Sequence, residues 1–173
     1  MHLLASTSGI ISDQNNAIDL CQSPGDIVIL SAADSDLACL SAAFQRFEPS
    51  KHSLRLANLL QLNHNLSVDL YIEKTLCHAR LIIIRLIGGR NYWLYGLSEI
   101  EAVAKKFDIK LIVIPGDDKP DLELTSYSNV SPEIIERCWM YFTHGGIDNA
   151  LNLLIYANSI LGDKEPWKEP APL

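Results

Sequence analysis

The sequence predicts an α/β fold: a mainly parallel, Rossmann-like or flavodoxin-like doubly wound sheet with a C-terminal α-hairpin. Three observations carry this. Leu81, Ile82, Ile83 and Ile84 form a continuous rather than alternating apolar run, which suits a strand covered on both faces by helices. Strand-like and helix-like stretches alternate through the first two thirds of the chain. Two helical patterns separated by Gly145-Gly146 then close it.

The elements follow in order. Residues 2–5 are a short apolar opening with the makings of a first strand, and 13–21 have room for one or two helical turns before the Pro24-Gly25 turn signal. Residues 26–31 (DIVILS) are a strand. Asp34 or Ser35 is placed to cap the next helix, whose apolar positions Leu37, Leu40, Ala43, Phe44 and Phe47 recur at helical spacing. Residues 54–60 alternate apolar with polar as a shorter strand ending near Asn58. Ser67 can cap a helix to Leu76, and the central strand over 80–86 follows. Ser98 and Glu101 have the spacing of a capping box, which predicts a helix from there to about Phe107. Residues 109–114 are the next strand, cut off by Pro115-Gly116-Asp117-Asp118, and 119–130 are polar with no clear period. Ser131-Pro132-Glu133 is a helix start, with serine at the cap and proline at the first helical position. A last helix runs from about Ile147 to Leu161. The expected organisation is a domain over 1–162 and a Pro-rich linker over 163–173.

Composition narrows the function classes. The chain has 173 residues, 48% hydrophobic and 20% charged, which is enough for a real core. A net charge of −7 argues against a nucleic-acid or anionic-membrane surface. Cys21, Cys39, Cys77 and Cys138 are scattered without a CxxC pair, which suits reduced thiols and a cytoplasmic location. No signal peptide or bilayer-length apolar run is visible in the sequence.

Chemical signatures are sparse. The sequence has no P-loop, no GxGxxG and no GxSxG, and its five histidines form no HExxH pair, so no cofactor or metal is expected on this chain and no catalytic residue is assigned. In an open parallel sheet, ligands and partners meet the loops at the carboxyl ends of the strands. The candidates there are Arg85, Arg55 and Asn58, the Gly88-Gly89 pair, and the aromatic loop with Tyr92, Trp93 and Tyr95. Arg85 is open to two readings, pairing with a carboxylate and recognising an anion. The aromatic loop reads first as packing over the sheet edge; its functional reading is a docking surface for another domain or a flat ligand, and between a domain and the ligand the domain is favoured. Asp117-Asp118 reads as turn chemistry more readily than as a metal pair.

Four stretches together carry a resemblance: DIVILSAADSDL at 26–37, SLRLANLLQLNHNLSVDLYIEKTL at 53–76, ARLIIIRLIGGRNYWLYG at 79–96 and IVIPGDD at 112–118. They resemble the N-terminal region of the CobN/magnesium chelatase H-subunit family, the large tetrapyrrole-binding subunits of metal chelatases, with the cobalt branch favoured. The resemblance implies participation in ATP-dependent insertion of cobalt(II) into hydrogenobyrinic acid a,c-diamide during cobalamin synthesis. It implies as partners the remainder of the large subunit, AAA+ ATPase and metal-binding-domain subunits, and the corrinoid substrate. Cobalt(II) and ATP/Mg would be used by the complete complex and not by this chain. The alternatives are a magnesium-inserting relative acting on protoporphyrin IX and a stand-alone α/β module for a small anion.

Overall fold

A computed structural model describes residues 16–47 and 49–173; the strand expected over 2–5 lies outside them. The described strands are β1 (Ile27–Ser31), β2 (Leu54–Asn58), β3 (Leu81–Leu86) and β4 (Lys110–Pro115). The helices are α1 (Asp34–Arg46), α2 (Asn65–Lys74), α3 (Leu94–Phe107), the one-turn α4 (Leu122–Thr125), α5 (Pro132–His144) and α6 (Gly146–Ile160). The four strands pair in parallel in the order β2-β1-β3-β4. This is the doubly wound α/β arrangement that the sequence predicts.

The apolar run of β3 needs both faces covered, and the structure covers both. Ile82, Ile84 and Leu86 share one core with Val28 and Leu30 of β1 and with α2 and α3, including Val68, Tyr71, Leu97 and Ile100. Leu81 and Ile83 share the other with Ile27, Ile29 and the helices α1, α5 and α6, including Leu40, Tyr141 and Leu153. A strand's alternation of side chains thus sends successive residues of one apolar run into two separate cores.

Polar side chains complete the backbone at both sheet margins. Beyond β4, Asn129 accepts from Leu111 N and donates to Ile109 O, while Ser128 Oγ accepts from Val113 N. Beyond β2, Gln22 donates to Leu56 O and Arg55 to Leu54 O.

Several local expectations are corrected. Residues 17–25 form no helix; the segment has no regular secondary structure, its Ile18 N–H bonded to Ser67 Oγ and its Gln22 carbonyl to Thr75 Oγ1. Ser67 is therefore a buried acceptor inside α2, and His64 Nδ1 caps that helix by accepting from Leu66 N. The Ser98–Glu101 capping-box spacing lies within α3, because a 3-10 turn over Arg90–Trp93 starts the helix earlier, at Leu94. At α1 the capping position is Ala33, without a side-chain cap, and Asp34 and Asp36 lie in the first turn. Within the polar 119–130 stretch, Asp121 caps α4 by accepting from Leu124 N at 3.0 Å.

The 163–173 segment, expected as a linker, folds back along α6. Lys168 N donates to Asn152 Oδ1, Ala171 N donates to Asn149 Oδ1, and Asn149 Nδ2 returns a bond to Ala171 O. Tyr141 donates to Lys168 O. Trp167 meets Tyr156 edge-on at 4.7 Å between ring centroids, and Arg137 lies 4.7 Å above the Trp167 ring while pairing with Glu169. The composition is that of a spacer, but its tryptophan and its carbonyls have partners on the hairpin.

Candidate functional site at the carboxyl edge of the sheet

The chain reverses its direction of travel across the sheet between β1 and β3, and the crevice at their carboxyl ends is the usual ligand position in such a fold. Ser31 ends β1 there, in register with Asn58 of β2 on one side and Arg85 of β3 on the other. The structure brings Asn58 and Arg85 to the expected edge, but both turn their polar groups to the first turn of α1. Arg85 Nη1 donates to both oxygens of Asp36 at 2.7 and 2.8 Å, and Nη2 donates to Gly116 O at 2.9 Å. Ser31 Oγ donates to Asp36 Oδ2 at 2.6 Å. The guanidinium lies 5.2 Å from the Phe142 ring centroid, and the Arg85 and Asp36 side chains are only 12% and 13% exposed. Asn58 donates to Asp34 Oδ1 and accepts from Leu60 N.

Of the two readings for Arg85, the carboxylate pair is the one observed. The electrostatics oppose an anion here. A free helix N-terminus in this crevice favours phosphate, whereas the first turn of α1 carries Asp34 and Asp36.

Arg55 does not join this group. It pairs with Val28 near the amino end of β2, and its guanidinium bonds Ser23 O, Ser23 Oγ and Leu54 O. A parallel strand separates its ends by its whole length, so sharing β2 with Asn58 places Arg55 toward the opposite margin.

The loop after β3 divides its aromatic residues. Gly88 and Gly89 have φ of 94° and 78°, which side-chain-bearing residues rarely adopt. Trp93, expected on the docking face, is 5% exposed and donates from Nε1 to Leu62 O at 2.9 Å. Its indole lies so close to Gly96 that a Cβ there would sit 2.2 Å from the ring. Trp93 is a core residue whose polar edge needed a carbonyl partner. Tyr95 is anchored by donating to Asp69 at 2.7 Å. Tyr92 remains outside, 59% exposed beside Gly88.

An open cleft of about 420 Å³ lies beside the glycine pair, lined by Leu86, Gly88, Gly89, Pro115 and the 117–124 segment. Leu122 in its lining is 84% exposed, and Ile87, which lies against Gly116, is also exposed. Sequence reasoning missed Ile87 and Leu122; the available signal was a leucine inside the polar 119–130 stretch. Asp117 and Asp118 hold no partner carboxylates here. Asp117 Oδ1 accepts from Lys119 N, and its carbonyl accepts from Trp139 Nε1, which is turn chemistry.

The buried thiol is unsuited to nucleophilic chemistry, since burial pushes the Cys138 pKa up to about 12. Among the described residues, no group of three or more His, Cys, Asp or Glu side chains could hold a metal ion. Among the described residues, no helix is long and apolar enough to cross a membrane.

No protein-family model matches the chain. Over 173 residues it is 44% identical to an aerobic cobaltochelatase subunit CobN from a Sinorhizobium species. It is 41% identical over 174 residues to the CobN subunit of Pseudomonas aeruginosa. Both alignments cover the whole of this chain and 14% of the relative. The catalytic subunit of cobaltochelatase from Mycobacterium tuberculosis shares the fold, with a TM-score of 0.66 and 26% identity over 85% of this chain and 11% of that one. Identity along the entire chain and a shared α/β architecture agree: the chain belongs to the CobN family of cobaltochelatase subunits and spans about a seventh of the length of the relatives it matches.

Proposed function

We propose that the protein serves as the N-terminal α/β domain of a cobaltochelatase large subunit, taking part in ATP-dependent insertion of cobalt(II) into hydrogenobyrinic acid a,c-diamide. Its own role is to dock against the rest of that subunit. Cobalt(II), the corrinoid and ATP/Mg are handled elsewhere in a cytoplasmic complex with AAA+ ATPase and metal-binding-domain subunits.

One observation carries the docking role. The arginine best placed to meet a corrinoid carboxylate, Arg85, is already paired at two points with Asp36, while the same edge leaves Tyr92 and Leu122 facing outward. A corrinoid carboxylate competing for Arg85 would have to displace a carboxylate of equal charge held in a two-oxygen contact.

The test is a titration of the macrocycle, followed by its absorbance, with the isolated domain beside the complete subunit. The expected result is a saturable change with the subunit, and neither a spectral change nor ATP turnover with the domain. Stoichiometric macrocycle binding by the domain would overturn the docking role.

A further inference from the structure

The path of the chain after β4 bears on what covers the exposed side chains at the carboxyl edge. From that edge, residues 128–129 run back beside β4, and α5 returns to bring Trp139 to the Asp117 carbonyl and Phe142 under Arg85. Helix α6 descends to the amino edge, where Asn158 bonds Ser50 and Asp163 approaches His52 at 3.5 Å. The 163–173 segment then climbs α6 by way of Asn152 and Asn149, and Leu173 arrives against Gly146. Gly146 opens the helix whose preceding turn follows Phe142, and Phe142, Arg85, Gly116 and Ile87 are in successive contact. Without this strap the chain would leave at the amino edge. With it, the chain is delivered to the edge that carries Ile87, Tyr92 and Leu122.

We infer that the Ile87–Leu94 loop and the 117–124 segment form a docking surface for the polypeptide that continues from Leu173 in a complete CobN subunit. The docking stretch offers an apolar side chain flanked by lysine or arginine. This rests on the large-subunit reading above. The apolar requirement comes from exposed Leu122, which lines a cleft open enough to receive a side chain, and from exposed Tyr92 and Ile87, which lie against Gly88 and Gly116 beside it. The basic requirement comes from the lining: with Glu123 paired to Arg90 at 3.3 Å, Asp117 and Asp121 still outnumber Lys119. A second copy of this chain suits the cleft poorly, since its net charge is −7. A covalently attached segment has the further advantage of a high effective concentration at the edge where the strap ends.

The experiment places a photo-crosslinking amino acid at Leu122, a side chain exposed enough to replace without disturbing the core, in the complete subunit. A control probe replaces Phe107, which is exposed at the far end of α3. The expected product from position 122 is an intrachain crosslink to residues beyond 173, near a lysine or arginine. Its yield should be unchanged by dilution and by omission of the other subunits. Adding Tyr92→Asp should lower that yield about tenfold, the effect of losing one well-buried apolar contact. The probe at position 107 should give no such product. A concentration-dependent crosslink to a second copy, a crosslink formed only with another subunit present, or no preferred product would each overturn the proposal. Macrocycle titration of the isolated domain beside the complete subunit reads the larger proposal separately. Binding by the isolated domain would reject its non-catalytic role while leaving an observed intrachain crosslink in place.

Discussion

Removing the Asp36 carboxylate would leave the Arg85 guanidinium nearly buried with only the Gly116 carbonyl and the Phe142 ring for company. Breaking a buried pair from one side costs more than exchanging both partners for apolar groups, so Asp36→Ala should lower unfolding free energy by about 3–5 kcal/mol. The double variant Asp36→Leu with Arg85→Met should recover most of that loss, and urea unfolding of the isolated domain measures both. A second prediction concerns acid. The Ser53 backbone amide, followed by the Ser53 hydroxyl, donates to the Asp26 carboxylate and holds its pKa below the usual carboxylate value. A depressed folded-state pKa contributes stability that is fully present above the unfolded value of about 3.9 and is lost as pH falls through the folded value. Asp26→Asn should therefore flatten the decline in stability below about pH 4 in thermal melts recorded across pH. At this scale the sequence was only half legible. It placed Arg85 and Asn58 at the carboxyl edge, because strand boundaries are readable. It misplaced Arg55, because which end of a short strand a residue occupies depends on register. It left the roles of Arg85 and Trp93 unresolved, because Asp36 and Leu62 are brought to them only by the folded chain.

The strap shows how one element can contradict its composition. EPWKEPAPL has the prolines and charges of a spacer, yet Trp167 and Arg137 stack and Glu169 closes on the guanidinium through two bonds. Such a stacked and forked contact is worth roughly 1–2 kcal/mol. Trp167→Ala should lower stability by that amount and speed tryptic cleavage at Lys164 and Lys168, followed by mass spectrometry, while leaving cleavage at Arg85 within β3 unchanged. The start of α3 was illegible for a related reason. The Ser98–Glu101 spacing is a valid local signal, but burial of Trp93 against Leu62 and Gly96 starts the helix earlier and puts Ser98 inside it. Tertiary burial overrode a cap worth about 1 kcal/mol. The α-hairpin was legible because Gly145 and Gly146, both at positive φ, interrupt two strong apolar periodicities.

For the whole molecule, the parallel sheet was the most legible feature. An unbroken apolar run can be satisfied only by cover on both faces, and strand–helix alternation supplies that cover. What the sequence could not state was the partition of helices, with α2 and α3 on one face and α1, α5 and α6 on the other. Nor could it show the margins. Asn129 and Ser128 occupy the outer hydrogen-bonding positions of β4, and Gln22 and Arg55 take carbonyls of β2. An exposed strand is a template on which another chain can add in register, and addition repeated indefinitely is how fibrils grow. Here amide and guanidinium side chains take up bonds that an incoming strand would have needed. In the large subunit proposed above, an N-terminal domain would stand folded for many seconds before the remainder is made. During that interval these side chains would hinder strand addition between neighbouring copies on the same message.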